Sequence, residues 1–407
     1  MRHLLSATTG LALMLAAGPA LANRVFVTNE RSNDVTVLDG ETFEVIGTYP
    51  VGNRPRGITI SPDGTELYVC ASDDNLVRVF NPETMEEMHT LPSGPDPELF
   101  VLHPSGNPLF IANEDDNIVT VVDTKTHQML AEVPVGVEPE GMGVSPDGRE
   151  LYICVSDDNL VRVFDPETMQ EMHTLPSGPD PELFVLHPSG NPLYIANEDD
   201  NLVTVVDTKT HRVLAEIPVG VEPEGMGVSP DGRVVINTSE TTNMAHFIDT
   251  ETFEITANVL VDSRPRFAQF TDDGSRLFVS SEIGGTVSVI DPATQTITKK
   301  ISFDIPGVLP EAIQPVGARV TSDGSKLFVA LGPANRVAVI DATTDEVTDY
   351  LLVGQRVWQL AFSPDEKYLY TTNGNSNDVS IIDVAANEVV RSVPVGQQPW
   401  GVVVAPD

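Results

Sequence analysis

The chain has 407 residues, with 23 Lys and Arg against 60 Asp and Glu, for a net charge of −37. That balance excludes nucleic acid and anionic lipid surfaces as partners, since both demand a basic footprint. Two cysteines exclude a disulfide scaffold, and 30 Gly with 32 Pro disfavour a helical protein.

Residues 1–22 read as a cleavable signal peptide. Arg2 and His3 form a short basic start, Leu4 to Ala17 is mostly apolar, and Ala20-Leu21-Ala22 is a small-x-small cleavage site before Asn23. The apolar stretch is too short for a stable anchor, and no later segment is long and apolar enough to span a bilayer. The expectation is a periplasmic protein, not membrane-spanning, with residues 23–407 as a single domain.

The domain is one repeat written nine times. Cutting after each Ser-Pro-Asp-Gly-like turn gives units starting at Asn23, Thr65, Asn107, Arg149, Asn191, Arg233, Ser275, Ser325 and Lys367. Each has 42 residues, except the seventh with 50 and the last with 41. In the third unit, β signals fall at Leu109–Ala112, Ile118–Asp123, Met129–Val133 and Gly141–Ser145, separated by Asn, Asp, Pro and Gly turn chemistry. Four strands at a period near 42 predict a β-propeller of four-stranded antiparallel blades. Residues 66–149 and 150–233 differ at nine of 84 aligned positions, which marks a duplication of two whole blades onto a seven-unit pattern. A closed nine-blade ring follows, with a seven-blade ring and two extruded units as the alternative. The chain begins on a second-strand signal, Arg24–Thr28, and ends on an inner-strand signal, Trp400–Ala405. Closure should therefore pair the N- and C-terminal strands.

The repeat text Leu-Tyr/Phe-Val-x-Asn, Val-x-Val-Ile-Asp, Val-Pro-Val-Gly and Ser-Pro-Asp-Gly resembles the YVTN-type propeller repeat. Asn237–Asp249, Ser280–Thr286, Ala330–Asn335, Tyr350–Leu360 and Gln398–Val402 carry the likeness further, to the PQQ-dependent-catabolism-associated β-propeller family. That resemblance implies an exported, non-catalytic accessory protein of periplasmic PQQ-dependent alcohol oxidation. Its partner would be the PQQ-dependent alcohol dehydrogenase or its cytochrome c. It supplies no catalytic residue, and the reading favours binding over catalysis. Two alternatives stay open: a propeller enzyme, lactonase or oxidoreductase-like, with its site at the top of the central channel, and a cell-surface interaction protein built from YVTN repeats.

Aligning the units gives two positions per blade at the top rim of the channel. Four adjacent blades present carboxylates there, including Glu98, Glu140, Glu182 and Glu224, which are the candidates for Ca²⁺. The other arc presents Arg54, Arg56, Arg264, Arg266, Arg356, Trp358 and Trp400, with Gln314 between. These are either solvated rim side chains or a surface for a planar polycarboxylate such as PQQ, since Arg pairs bidentately with carboxylates and Trp offers a stacking face. Glu222 and Glu224 adjoin Arg264 and Arg266. The loop Ser239–Met244, with Glu240 and Asn243, adds a partner contact implied by the resemblance. The eight extra residues of unit 7 fall within Ser302–Gln314, where Phe303, Ile305, Val308 and Leu309 predict an apolar lid over the channel mouth. No Cys-x-x-Cys-His motif occurs, so no covalently bound haem is expected, and His246 reads as a packed core residue.

Overall fold

The computed structural model describes residues 24–405 apart from 62, 96, 114, 115 and 138, with the backbone alone at 98, 99 and 140. The expected signal peptide lies outside the described residues. No helix among them is long and apolar enough to cross a membrane.

Nine four-stranded antiparallel sheets form the ring. Blade 2 is typical, with strands Pro55–Ile60, Leu67–Ala71, Leu76–Phe80 and Glu87–Pro92 running from channel to periphery. The inner strands of blades 3 to 9 begin at Pro97, Pro139, Pro181, Pro223, Pro265, Ala318 and Val357. Blade 1 is shared: Arg24–Asn29 pairs with the C-terminal Pro399–Val404, Val25 opposite Val404 and Val27 opposite Val402. Closure therefore follows the expected pairing, and it removes the exposed strand edge an open ring would carry.

The core is distributed rather than central. Second and third strands are rich in Val, Ile and aromatic residues and buried on both faces, as in Leu67–Ala71, because neighbouring blades cover them. Fourth strands alternate, as in Val45–Pro50, since they lie at the outer edge. Buried clusters bridge successive blades all round the ring, including Val25, Val27, Tyr370 and Val379 between blades 9 and 1. Blades 4 and 5 are built into it like the rest, so the extruded-unit alternative is set aside. Cys70 and Cys154 are buried in separate clusters and are not joined in a disulfide.

The lid expectation is corrected. Phe303, Ile305 and Ile313 are buried in the seam between blades 7 and 8, where Val308 also packs, and the amide of Asp304 donates to Tyr350 Oη at 3.0 Å. These apolar residues are satisfied by the blade core, not by covering the channel. Only Leu309 of that set is left exposed.

Candidate functional site

The rim residues are held from both sides by backbone geometry. An Asn in the turn between second and third strands adopts a left-handed conformation, as at Asn33, Asn243, Asn335 and Asn377. Its side-chain oxygen accepts the backbone N–H of the rim residue of the next blade: Arg54 at 3.0 Å, Arg264 at 3.3 Å, Arg356 at 2.9 Å and Gln398 at 2.9 Å. The rim residue's carbonyl in turn accepts an N–H from the residue that leaves the second strand of its own blade. The pairs are Glu30 to Gln398, Glu240 to Glu222, Glu282 to Arg264 and Gly374 to Arg356, at 2.9 to 3.2 Å. Asn243 is thus a latch that positions Arg264. Gln314 lacks such a latch, because the preceding blade carries Gly285 in that turn, and its amide faces the carbonyl of Leu331 at 3.4 Å.

The residue leaving the second strand decides what each rim arginine meets. In blade 6 it is Glu240 and in blade 7 Glu282, both at the rim with side chains only 12% and 14% exposed. Arg264 pairs with Glu240 at 3.1 Å and Glu282 at 3.5 Å. Arg266 pairs with Glu240 at 2.5 Å, Glu224 at 2.9 Å and Glu282 at 3.8 Å. Glu222 lies beside this group but accepts from the Thr241 hydroxyl. Glu224 and Glu240 meet the same Nη1 of Arg266, at 2.9 and 2.5 Å, which sets the two carboxyls side by side where a proton on one can bond the other. Burial first, then that bond, push Glu224 up to about 7. Burial acts to raise Glu240 as well, but the bond from Glu224 and the charges of Arg266 and Arg264 outweigh it and hold Glu240 below the usual carboxylate range. Two neighbouring carboxyls with their acidities driven apart form an acid/base pair. Glu282 escaped the sequence reading; its signal was that it stands in unit 7 where Glu240 stands in unit 6, each following a serine that ends a second strand.

Arg54 and Arg56 converge on Glu30 of the preceding blade at 3.8 and 3.1 Å, and Arg54 also meets Asp73 at 3.2 Å. The Arg56 guanidinium lies over the Trp400 ring at 5.0 Å, and that of Arg356 over Trp358 at 5.6 Å. A cleft of about 270 Å³ opens between blades 9 and 1, lined by Glu30, Arg356, Trp358, Gly374, Asn375 and Trp400 among others.

Among the described residues, the acidic arc brings carboxylates together within a single blade. Asp180, Glu182 and Glu198, all from blade 5, bring one oxygen each within 4.8 Å of one another and could hold a metal. Glu224 belongs to the arginine-bound pair instead, and the side chains of Glu98 and Glu140 lie outside the described residues. His246 is buried and serves the fold: Nδ1 lies 2.6 Å from Asn258 Oδ1 and Nε2 accepts the Gly220 N–H at 2.9 Å.

Several solved structures are similar to the chain in fold. The dihydro-heme d1 dehydrogenase NirN, in complex with DHE, superposes with a TM-score of 0.65 at 15% identity, covering 97% of this chain and 77% of that one. A eukaryotic initiation factor gives 0.71 at 13% identity, over 94% and 98%. Hydrazine synthase of Kuenenia stuttgartiensis gives 0.52 at 20% identity, over 81% and 96%. These likenesses carry the fold alone. No curated protein matches the chain. A family described as lactonase, 7-bladed beta-propeller, matches residues 18–135 and 228–390. The interval between the two matched stretches contains blades 4 and 5 whole, so the family's seven blades are found here once two are set aside. This match overturns the reading as a non-catalytic accessory protein of PQQ-dependent catabolism, and with it the preference for binding over catalysis. The expected dehydrogenase or cytochrome partner rested on that reading. The chain belongs to the lactonase family of β-propellers, enlarged from seven blades to nine.

Proposed function

We propose that the protein is a propeller hydrolase acting on lactones at the top of its channel. The observation that carries this reading is the Glu224–Glu240 pair held between Arg264 and Arg266. Near neutral pH a good fraction of Glu224 carries no proton, so it serves as general base toward a water molecule. The water oxygen adds to the acyl carbon, and the ring C–O bond breaks. Glu224 then returns the proton to the departing ring oxygen, leaving a hydroxy-acid that sheds its own proton to solvent as the hydroxy-carboxylate. Arg264 and Arg266 supply positive charge for the oxyanion and for the released carboxylate. Export to the periplasm forms part of the proposal and is supported by the signal-like text of residues 1–22.

The direct test is hydrolysis of γ-butyrolactone, δ-valerolactone and glucono-δ-lactone by the purified chain, followed by acid release. Activity that falls at least a hundredfold in Glu224→Gln supports the assignment; activity unchanged by that substitution sinks it.

A second reading rests on the blade 5 carboxylates. Asp180, Glu182 and Glu198 would give a hard cation such as Ca²⁺ three oxygen ligands, with water completing the six to eight it prefers. A Ca²⁺-dependent rise in melting temperature, lost in Asp180→Asn, is its expected signature. A melting temperature indifferent to Ca²⁺ and to EDTA would rule it out.

A further inference from the structure

We infer that the cleft between blades 9 and 1 is a second binding site, for a small ring-bearing carboxylate, with Arg356 as the anion contact and Trp358 and Trp400 as its apolar walls. The inference uses none of the residues assigned to lactone hydrolysis and stands or falls apart from it.

The argument begins with what the repeat withholds. At the arginine pair of blade 7, acids arrive from both the same blade and the preceding one, as Glu282 and Glu240. At the pair of blade 2, an acid arrives from the preceding blade as Glu30. For Arg356 the two equivalent positions are Gly374 and Leu331. Among the described residues its guanidinium has no ion pair and no hydrogen bond, and it lies over the Trp358 face at 5.6 Å. Glu30 also lines the cleft, but its carboxylate is engaged by Arg54 and Arg56. One exposed guanidinium is therefore left uncompensated at a cleft whose walls include both tryptophans of the chain.

Gly374 is not needed for the backbone. It has no left-handed φ, and a Cβ built there meets nothing within 4 Å. The glycine keeps open the space that an acid fills in blades 1, 6 and 7. What enters that space must bring a carboxylate of its own and a flat or ring-shaped face for the indoles, which are 38% and 41% exposed. The volume of about 270 Å³ suits one ring with its carboxyl group.

Trp358 and Trp400 are the only tryptophans, so intrinsic fluorescence excited in the indole band reports on this cleft alone. The purified chain would be titrated with benzoate and with cyclohexanecarboxylate, and with benzyl alcohol as the uncharged control. The expected result is a saturable change with either carboxylate, at a dissociation constant of about 1 mM or tighter, and binding of benzyl alcohol at least tenfold weaker. Arg356→Gln should weaken carboxylate binding about ten- to a hundredfold and leave benzyl alcohol unaffected. Gly374→Glu, which supplies the missing acid in place and fills the space the glycine leaves, should weaken carboxylate binding by as much, with the fold intact by circular dichroism. Glu224→Gln should bind as the parent does. No saturable response to either carboxylate, or parent-like carboxylate binding in both Arg356→Gln and Gly374→Glu, would overturn the inference.

Discussion

Glu30 and Glu240 stand at the same position of the repeat, and each closes on the arginine pair of the following blade. Glu30 reaches Arg56 at 3.1 Å across the seam from blade 1 to blade 2; Glu240 reaches Arg266 at 2.5 Å across the seam from blade 6 to blade 7. The difference lies in the third carboxyl. Only Glu240 also bonds a partner acid, Glu224, and that contact gives its seam an acid/base pair.

Glu240→Gln removes a like charge and the hydrogen bond that favours protonated Glu224. The Glu224 pKa should then fall from about 7 toward the ordinary carboxylate range. The acidic limb of the lactone hydrolysis profile should move to lower pH by the same amount. A rate profile from about pH 4 to about pH 9 for parent and variant checks this.

Arg266→Met leaves Glu240 and Glu282, both largely buried, with Arg264 as their shared cation. Breaking a half-buried network in this way should cost about 1–2 kcal/mol, less than the loss expected for a fully buried pair. Urea unfolding gives the value. The midpoint should recover partly in a double variant that also carries Glu282→Gln, because the orphaned charge is then gone.

Deleting Trp400–Asp407 removes the inner strand of blade 1 and bares the edge of Arg24–Asn29. A chain that melts many degrees lower and aggregates on warming is expected. Parent-like melting of the truncated chain would refute shared-blade closure.

His173 and His211 stack face to face across the outer edge of blades 4 and 5, their ring centroids 3.3 Å apart. Burial, then the charge of His211, push His173 down to about 4. Its duplicate His89 is lowered in the same way beside His127. Below pH 6.5 the unfolded chain takes up protons that the folded one refuses. This contribution is therefore complete above pH 6.5 and is lost as pH falls from there toward about 4. Urea midpoints at about pH 7.5 and about pH 4.5 should differ less in the double variant His89→Gln, His173→Gln than in the parent.

Strand placement was legible in the sequence because each strand is set by local chemistry. The third-unit signals at Leu109–Ala112 and Met129–Val133 differ from the observed Leu109–Asn113 and Met129–Pro134 by one residue each. Rim positions could be read for the same reason, by aligning the units. Seam chemistry was harder to read. Glu282 matters because of an arginine pair in its own blade and an acid in the blade before, and no single unit contains all three. The apolar loop Ser302–Gln314 misled for a related reason: composition says that Phe303 and Ile305 must be covered, but not whether they go up over the channel or down between blades.

Blade 1 draws its strands from both ends of the chain, while the unit of repetition starts at a second strand and finishes on the inner strand of the next blade. Copying any whole number of units therefore inserts complete sheets and never leaves a raw edge. A gene rearrangement that doubled residues 66–149 would have yielded a closed molecule at once, with no intermediate in need of repair. The bore of the channel then becomes a trait that changes in discrete steps. The carboxyl pair of blade 6 is carried through such a step intact, because every contact it uses comes from its own sheet and from the arginines of blade 7.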